Sequence, residues 1–245
     1  MGQGPKPRRA AELIQLTRRG VVFTGTQRDL DLLREKYDRD HYVILPQLFE
    51  PRLLEEIMSR VDAAQFLPKV DGEIAHELCM NDTVTEAMMM FFPNNPDFLR
   101  LVERITGVPR LGEFIGRVYR MTSSDGHYDS WHDDIFSQRA VTMSVNLSRQ
   151  IYAGGVLQLK LQDSGEIIQE VHNTGFGDAL LFRISSHLKH RVQGVTGDIP
   201  KTAFAGWFHE GEDFLANLHK RSNRASGNLA KDAQVAEAPV SRKHQ

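Results

Sequence analysis

The sequence predicts a single α+β domain: an antiparallel sandwich or barrel with helices packed on its outside. Three observations lead there. The chain has 245 residues, enough for one well-filled core and too few for two comfortable ones. Apolar residues recur at helical spacing up to about residue 112. From about 113 they alternate with polar or small residues, and turn signals separate the runs.

In chain order, residues 1–20 are polar and basic around Lys6, Arg8, Arg9, Arg18 and Arg19, which predicts a loosely held arm. The domain follows over 21–215. A short strand, Tyr42, Val43, Ile44 and Leu45, precedes Pro46. Pro51 suits the first turn of a helix whose apolar face is Leu53, Leu54, Ile57, Met58 and Val61. Thr83 and Glu86 make a capping box for a helix carrying Met88, Met89, Met90, Phe91 and Phe92, a run expected in the core. Pro96 opens another helix (Phe98, Leu99, Val102, Ile105), which Gly107 stops and Pro109 keeps stopped. Residues 66–82 and 121–131 are expected as loops that shape a pocket.

The alternating half begins with Val141, Met143, Val145 and Leu147. After Gly154 and Gly155, which mark a tight connection, Leu157, Leu159 and Leu161 repeat the pattern. Further strands are expected over 166–171, 178–184, 191–195 and 202–208. From about residue 220 large apolar side chains are few, so 220–245 is expected to be a disordered tail.

Composition narrows the function. The formal net charge is −2, which gives no electrostatic reason to expect nucleic acid or an anionic membrane as partner. A single cysteine, Cys79, excludes an intrachain disulfide and a thiolate cluster, and points to a reducing compartment. There is no apolar run of the roughly 20 residues a membrane span needs, and no apolar signal-peptide core. Met1 and Gly2 resemble a myristoylation start, but Lys6 stands where that signal wants Ser or Thr. The expectation is a soluble cytoplasmic protein whose oligomeric state the sequence leaves open.

The stretch that carries chemistry runs from Tyr128 to Asp134 and contains His132 and Asp134. On an extended strand alternate residues share a face, so these two side chains point together into a cavity while Asp133 points away. They supply two ligands of a facial triad; the third must be a distant histidine, since one strand cannot surround a metal. Two histidines and one carboxylate leave three adjacent coordination positions open, the arrangement of non-haem Fe(II) oxygenases. Alone, His-x-Asp is a weak signal.

In combination it is stronger. Residues 113–210, about two-fifths of the chain, resemble the prolyl-hydroxylase-like branch of the 2-oxoglutarate/Fe(II) dioxygenase superfamily. The matching pieces, in order, start with Arg117, Val118 and Tyr119, then His132, Asp133 and Asp134. Next come the runs 145–148, 152–157 and 175–182, then His190, Arg191 and Val192, and finally Lys201, Trp207 and Phe208. The resemblance implies a double-stranded β-helix (jelly-roll, cupin-like) core over about 113–210, with the N-terminal helices packed outside. It implies Fe(II), 2-oxoglutarate as cosubstrate and O2, with ascorbate as an optional reductant.

It also assigns roles: His132, Asp134 and His190 as metal ligands, with His187 the rival to His190. Lys201 is implied as the partner of the distal carboxylate of 2-oxoglutarate, a contact of roughly 1.5–3 kcal/mol. Two departures stand out. Ala203 occupies the position where relatives carry a hydroxyl, leaving Thr202 beside Lys201 as the substitute. Tyr128 lies four residues before His132 instead of three, so it reaches the cosubstrate only if a bulge compensates, and Tyr119 is the alternative. Asn146 and Arg183 fall on expected strands with no preference for cavity or solvent, and His127, His172 and His209 read as structural or exposed.

In related halogenating enzymes a small residue replaces the aspartate; Asp134 therefore implies hydroxylation or a related desaturation. The implied activity is hydroxylation of a small metabolite or amino-acid residue, releasing succinate and CO2. Two other readings keep the scaffold: a cupin-like metalloenzyme without 2-oxoglutarate, which has no use for Lys201, and a non-catalytic binding module, which does not need all three ligands.

Overall fold

The computed structural model describes residues 13–124, 126–211 and Phe214. Its strands and helices run β1 (Ile14–Thr17), β2 (Gly20–Phe23), α1 (Gln27–Asp40), β3 (Tyr42–Leu45), α2 (Pro51–Ala63), β4 (Phe66–Asp71), β5 (Ala75–Met80), α3 (Thr83–Phe91) and α4 (Pro96–Thr106). They continue as β6 (Leu111–Met121), β7 (Tyr128–His132), β8 (Arg139–Asn146), β9 (Leu157–Leu161), β10 (Ile167–Val171), β11 (Ala179–Arg183), β12 (Leu188–Val192) and β13 (Lys201–Glu210).

All but the first two strands join one rolled antiparallel sheet in the order β10-β9-β12-β7-β5-β6-β13-β8-β11-β3, with β4 paired to β5. The roll is a double-stranded β-helix. Its wider wall is β3, β11, β8, β13 and β6; its narrower wall is β7, β12, β9 and β10, and β5 bridges the two.

Period-two alternation decides which side chains meet the helices and which face the interior of the roll. On β8, Val141, Met143 and Val145 are fully buried in the main core, together with Phe204 and Phe208 of β13 and the apolar faces of α2 and α4. The residues between them, Thr142 and Ser144, line the cavity inside the roll. Phe114 packs against Phe204 and Phe208 at ring-centroid distances of 5.5 and 4.9 Å, fastening β6 to β13 beneath α4. A smaller cluster of Leu157, Leu159, Val171, Leu180 and Phe182 closes the roll from within.

The helix ends follow local rules with one correction. Pro51 and Pro96 occupy first turns, and Gly107 ends α4 at φ 76°, the left-handed region glycine tolerates. The expected capping box of Thr83 and Glu86 does not form. Asp82 caps α3 by accepting from Thr85 N at 3.0 Å, and Glu86 instead accepts from Val118 N of β6 at 3.1 Å. Its carboxylate is thereby diverted to tie the helix to the sheet.

Three other expectations change. Residues 13–20, assigned to the arm, include β1 and the start of β2, and Ile14 and Leu16 are each 1% exposed in the main core. Two apolar residues two apart are enough to seat a strand, and the basic residues around them mask that signal. Residues 66–82, expected as a loop, form the β4–β5 hairpin. Finally α1, whose start is a capping box of Thr26 and Asp29, was not foreseen. Residues 1–12 and the tail 220–245 lie outside the described residues. Among the described residues no helix is long and apolar enough to cross a membrane.

Candidate active site

His132 ends β7 and pairs directly across the ladder with His190 on β12. Their rings are 4.1 Å apart between centroids. Asp134 lies beyond the strand, at φ 59°, so it does not reach the histidines by sharing a strand face, as the sequence suggested. A left-handed turn carries it back over the end of β7. Aspartate tolerates that conformation better than most side chains. Asp133, the residue between, accepts from Ile135 N at 3.1 Å and so closes the turn.

The result is a compact donor set: one ligand atom from each of His132, Asp134 and His190, all within 4.8 Å of one another. Asp134 Oδ1 is 3.5 Å from His132 Nε2, and Oδ2 is 3.2 Å from His190 Nε2. His132 Nδ1–H donates to the Ser130 carbonyl at 2.7 Å, which leaves Nε2 as the nitrogen that could hold a metal. His187, the alternative to His190, is exposed on the turn before β12.

Two neighbours orient the carboxylate. The Trp207 indole N–H donates to Asp134 Oδ2 at 2.6 Å, and Arg139 Nη1 donates to Oδ1 at 3.0 Å. The Arg139 guanidinium stacks on the Trp207 ring at 3.6 Å, so the two hold each other as well.

Electrostatically the metal-free cluster is a carboxylate sharing a proton with its neighbours. Burial works against the Asp134 charge, but hydrogen bonds from His132 and His190 overcome it and hold its carboxyl well below the usual range. Burial also opposes charge on His132, yet Asp134, Asp129 and the Ser130 carbonyl outweigh it and raise the imidazole to about 9. His190 is the neutral partner, lowered by burial. A divalent ion would replace the His132 proton with a larger positive charge. Two imidazole nitrogens and an ionised carboxylate, buried and preoriented, fit non-haem Fe(II) with coordination positions to spare.

The cavity that opens onto this cluster holds about 190 Å³. Lys201 enters it from the first residue of β13, 7% exposed, and donates to the Gly155 carbonyl at 2.9 Å. Gly155 has φ 60°, and a Cβ there would stand 3.0 Å from Lys201 Cδ, so the glycine makes room for the lysine stem. Burial pushes the ammonium down to about 8, with Asp129 opposing the shift. Tyr119 also lines the cavity, and burial raises its hydroxyl well above the ordinary value.

Two of the expected cosubstrate contacts are elsewhere. Tyr128 is 41% exposed and does not line the cavity. A register shift between β12 and β7 turns Asp129 inward instead, beside His132 Nδ1 at 3.4 Å. Burial and the neighbouring carboxylates raise Asp129 to about 7. Thr202 is on the opposite face of β13 from Lys201: its hydroxyl accepts from Arg120 Nε at 3.0 Å and its N–H donates to Ser148 at 2.8 Å.

Sequence reasoning gave no role to four further cavity residues: Arg139, Trp207, and the buried ion pair of Arg117 with Glu77. Trp207 was reachable, because residues 201, 203, 205 and 207 share one strand face. Arg117 on β6 faces the same way, paired opposite Ala205. Asn146 and Arg183 are structural. Asn146 donates to the Thr174 carbonyl at 2.6 Å, and Arg183 pairs with Asp38 of α1 at 2.6 Å.

Residues 116–209 match the family model described as the 2OG-Fe(II) oxygenase superfamily, a span that holds all three donor residues and Lys201. The β-helix core is thus similar to the 2OG-Fe(II) oxygenase superfamily. Solved structures agree with this oxygenase fold. A prolyl-4-hydroxylase from Pseudomonas putida is 18% identical, with a TM-score of 0.57, covering 74% of this chain and 99% of that one. An oxidoreductase of the 2OG-Fe(II) oxygenase family from Burkholderia pseudomallei is 14% identical, with a TM-score of 0.58, over 82% and 99% of the two chains. The α-ketoglutarate-dependent epimerase SnoN of nogalamycin biosynthesis is 15% identical, with a TM-score of 0.56, over 76% and 84%. No curated protein matches the chain. The oxygenase superfamily implies Fe(II), 2-oxoglutarate and O2 as the reagents; the substrate is not set by the fold.

Proposed function

We propose that this chain is a 2-oxoglutarate- and Fe(II)-dependent hydroxylase acting on a small metabolite or an amino-acid residue. The observation that carries the reading is the joint presence, in one cavity, of the donor set His132, Asp134 and His190 and a buried lysine, Lys201, with no carboxylate partner among the described residues. A metalloenzyme without 2-oxoglutarate would have no use for that cation, and burying it unpaired is costly.

His132 and His190 would hold the iron through Nε2 and Asp134 through one oxygen. Bound iron, with O2 and the 2-oxo acid, would supply the oxidant and release succinate and CO2. This chain's residues do the positioning. The Lys201 ammonium would bind the distal carboxylate of 2-oxoglutarate, with the Tyr119 hydroxyl, which lines the same cavity from the adjacent strand, as a second donor. Trp207 and Arg139 keep Asp134 aimed at the metal. Leu157, Leu180, Phe182 and Val192 exclude water from the reacting end. Cys79 takes no part: burial and Glu77 push its thiol up to about 11, away from the reactive thiolate.

The test is to add Fe(II) anaerobically to the purified chain, with ascorbate keeping it reduced, and titrate in 2-oxoglutarate. A weak visible charge-transfer band that needs both components, and disappears in His190→Ala, is the expected result. Iron binding without the band would overturn the assignment of 2-oxoglutarate.

A further inference from the structure

The cavity wall built by β4, β5 and β7 is acidic, and one row across it sets out two carboxylates. Asp71 pairs across the ladder with Ala75, and Ala75 with Asp129, so the three lie side by side on adjacent strands, and all three line the cavity. Glu77, two residues along β5 from Ala75, lines the same cavity. We infer that this wall receives a positively charged nitrogen group of the substrate, which is an amine or guanidine on an apolar body. This rests on the oxygenase reading above, and deepens it by naming the substrate class.

The spacing suits an organic cation. Neighbouring strands are about 4.8 Å apart, so Asp71 and Asp129 start roughly 10 Å apart with only the Ala75 methyl between them. Two carboxylates reaching inward from those positions bracket a gap that one ammonium or guanidinium fills. A metal ion needs closer donors. Among the described residues, the set of three such side chains whose ligand atoms converge is His132, Asp134 and His190.

The acids are open to a ligand. Asp71 is exposed at the mouth, and the Asp129 side chain keeps 22% of its surface. The basic neighbour of Asp129 is His132 Nδ1 at 3.4 Å, and that N–H is already given to the Ser130 carbonyl. Glu77 is an independent sign. It is 7% exposed, and its Oε1 accepts from Arg117 and from the Cys79 thiol, while Oε2 has no partner among the described residues. A carboxylate oxygen left free in a buried wall is an acceptor for a donor that arrives.

The cations of the cavity are engaged elsewhere. Arg117 donates to Glu77 through Nε at 2.8 Å, Arg139 pairs with Asp134, and Lys201 is given to 2-oxoglutarate. Among the described residues neither Asp71 nor Asp129 pairs with a lysine or an arginine. Carboxylates in a poorly solvated wall without such a partner select a cation over a neutral donor or an anion. Past Asp129 the row continues to Val192, with Leu180 and Phe182 also in the lining, and this is the apolar surface that takes the substrate's body.

The experiment uses the full chain loaded with Zn(II) and saturating 2-oxoglutarate, with binding read by isothermal titration calorimetry. Hexylamine and hexylguanidine are titrated against 1-hexanol and hexanoate. Both cations should bind saturably and about tenfold more tightly than the alcohol, with hexanoate the weakest. Glu77→Gln and Asp129→Asn should each weaken the cations about five- to tenfold and leave the alcohol unaffected. Asp71→Asn, at the exposed mouth, should cost about two- to fourfold, and Asp71→Glu should restore the loss. If Glu77→Gln fails to fold for want of its pair with Arg117, the two aspartate variants decide. The alcohol binding as well as the cations, no saturable response to either cation, or cation affinity unmoved in both aspartate variants would each overturn the site. Hexylamine binding without hexylguanidine would do so too, since only the amine can ligate the zinc. Failure of the oxygenase reading registers separately, as absence of the iron- and 2-oxoglutarate-dependent absorption band.

Discussion

One cavity contains three cations, and the two toward its opposite ends are held in opposite ways. Lys201 donates to a single backbone carbonyl, that of Gly155, and makes no ion pair among the described residues. Arg139 at the other end is paired with Asp134, braced against Trp207, and spends one N–H group on orienting a carboxylate. A buried cation that lacks a carboxylate is arranged for an anion that arrives; one that has a carboxylate mainly arranges it. The two residues carry the same charge, and only their partners separate a binding role from a positioning role.

The largest effect expected on this contrast comes from deleting the shared carboxylate. Asp134→Ala removes a proposed metal donor and leaves Arg139, partly buried, without its countercharge. Substrate-coupled succinate formation should be abolished, a loss of at least about a thousandfold. Near-normal turnover in that variant would sink the donor-set assignment and, with it, the positioning role of Arg139.

At the other end, Lys201→Met keeps the stem that packs beside Gly155 and removes only the charge. A charge-assisted pair of roughly 1.5–3 kcal/mol corresponds to a loss in 2-oxoglutarate affinity of about ten- to a hundredfold. Iron affinity should be unchanged, and both quantities can be read from anaerobic absorption titrations. If iron affinity falls as well, the two ends are not independent.

Trp207→Phe tests the positioning end without removing a charge. It keeps the aromatic surface under Arg139 and deletes the N–H to Asp134 Oδ2. Loss of an outer hydrogen bond to a ligating carboxylate typically costs about tenfold or more in metal affinity. Competition with a chelator measures it, and an unchanged affinity would mean that Arg139 alone orients Asp134.

A pH titration sharpens the Lys201 end. Burial lowers this ammonium to about 8, and an anion beside it pulls the value back up. Affinity for 2-oxoglutarate is therefore greatest where the free lysine is protonated, below about pH 8, and falls as pH rises through that value, by up to about tenfold per unit. In Lys201→Met the slope above pH 8 should disappear; persistence would place the titrating group elsewhere.

How far the sequence went can be judged at single residues. Alternation along 141–147 told inside from outside on β8, because period two is set by the backbone and needs no knowledge of partners. His132, Asp134 and His190 were picked out as a set, yet the reason offered for the first two, a common strand face, does not hold. Asp134 sits past the strand end at φ 59°, and no periodicity argument foresees a left-handed turn at a non-glycine residue. The inward turn of Asp129 was hidden likewise, since the register shift opposite Val192 depends on the neighbouring strand. Arg139 was illegible for another reason. Its role comes from contacts with Asp134, five residues away across a turn, and with Trp207 on β13, a long-range pairing that one sequence does not record.

The smallest effect separates cosubstrate binding from scaffold at adjacent positions. Thr202 is next to Lys201 in sequence, but strand geometry sends the two side chains to opposite faces, and the Thr202 hydroxyl accepts from Arg120 Nε at 3.0 Å. Thr202→Val should therefore cost about 1 kcal/mol of stability, the net worth of one such bond, visible as a lowered urea midpoint. Affinity for 2-oxoglutarate should stay within about twofold of the parent chain. A tenfold loss of that affinity at full stability would show the hydroxyl turning into the cavity when the anion binds. The contrast between the faces of β13 would then be a property of the free chain only.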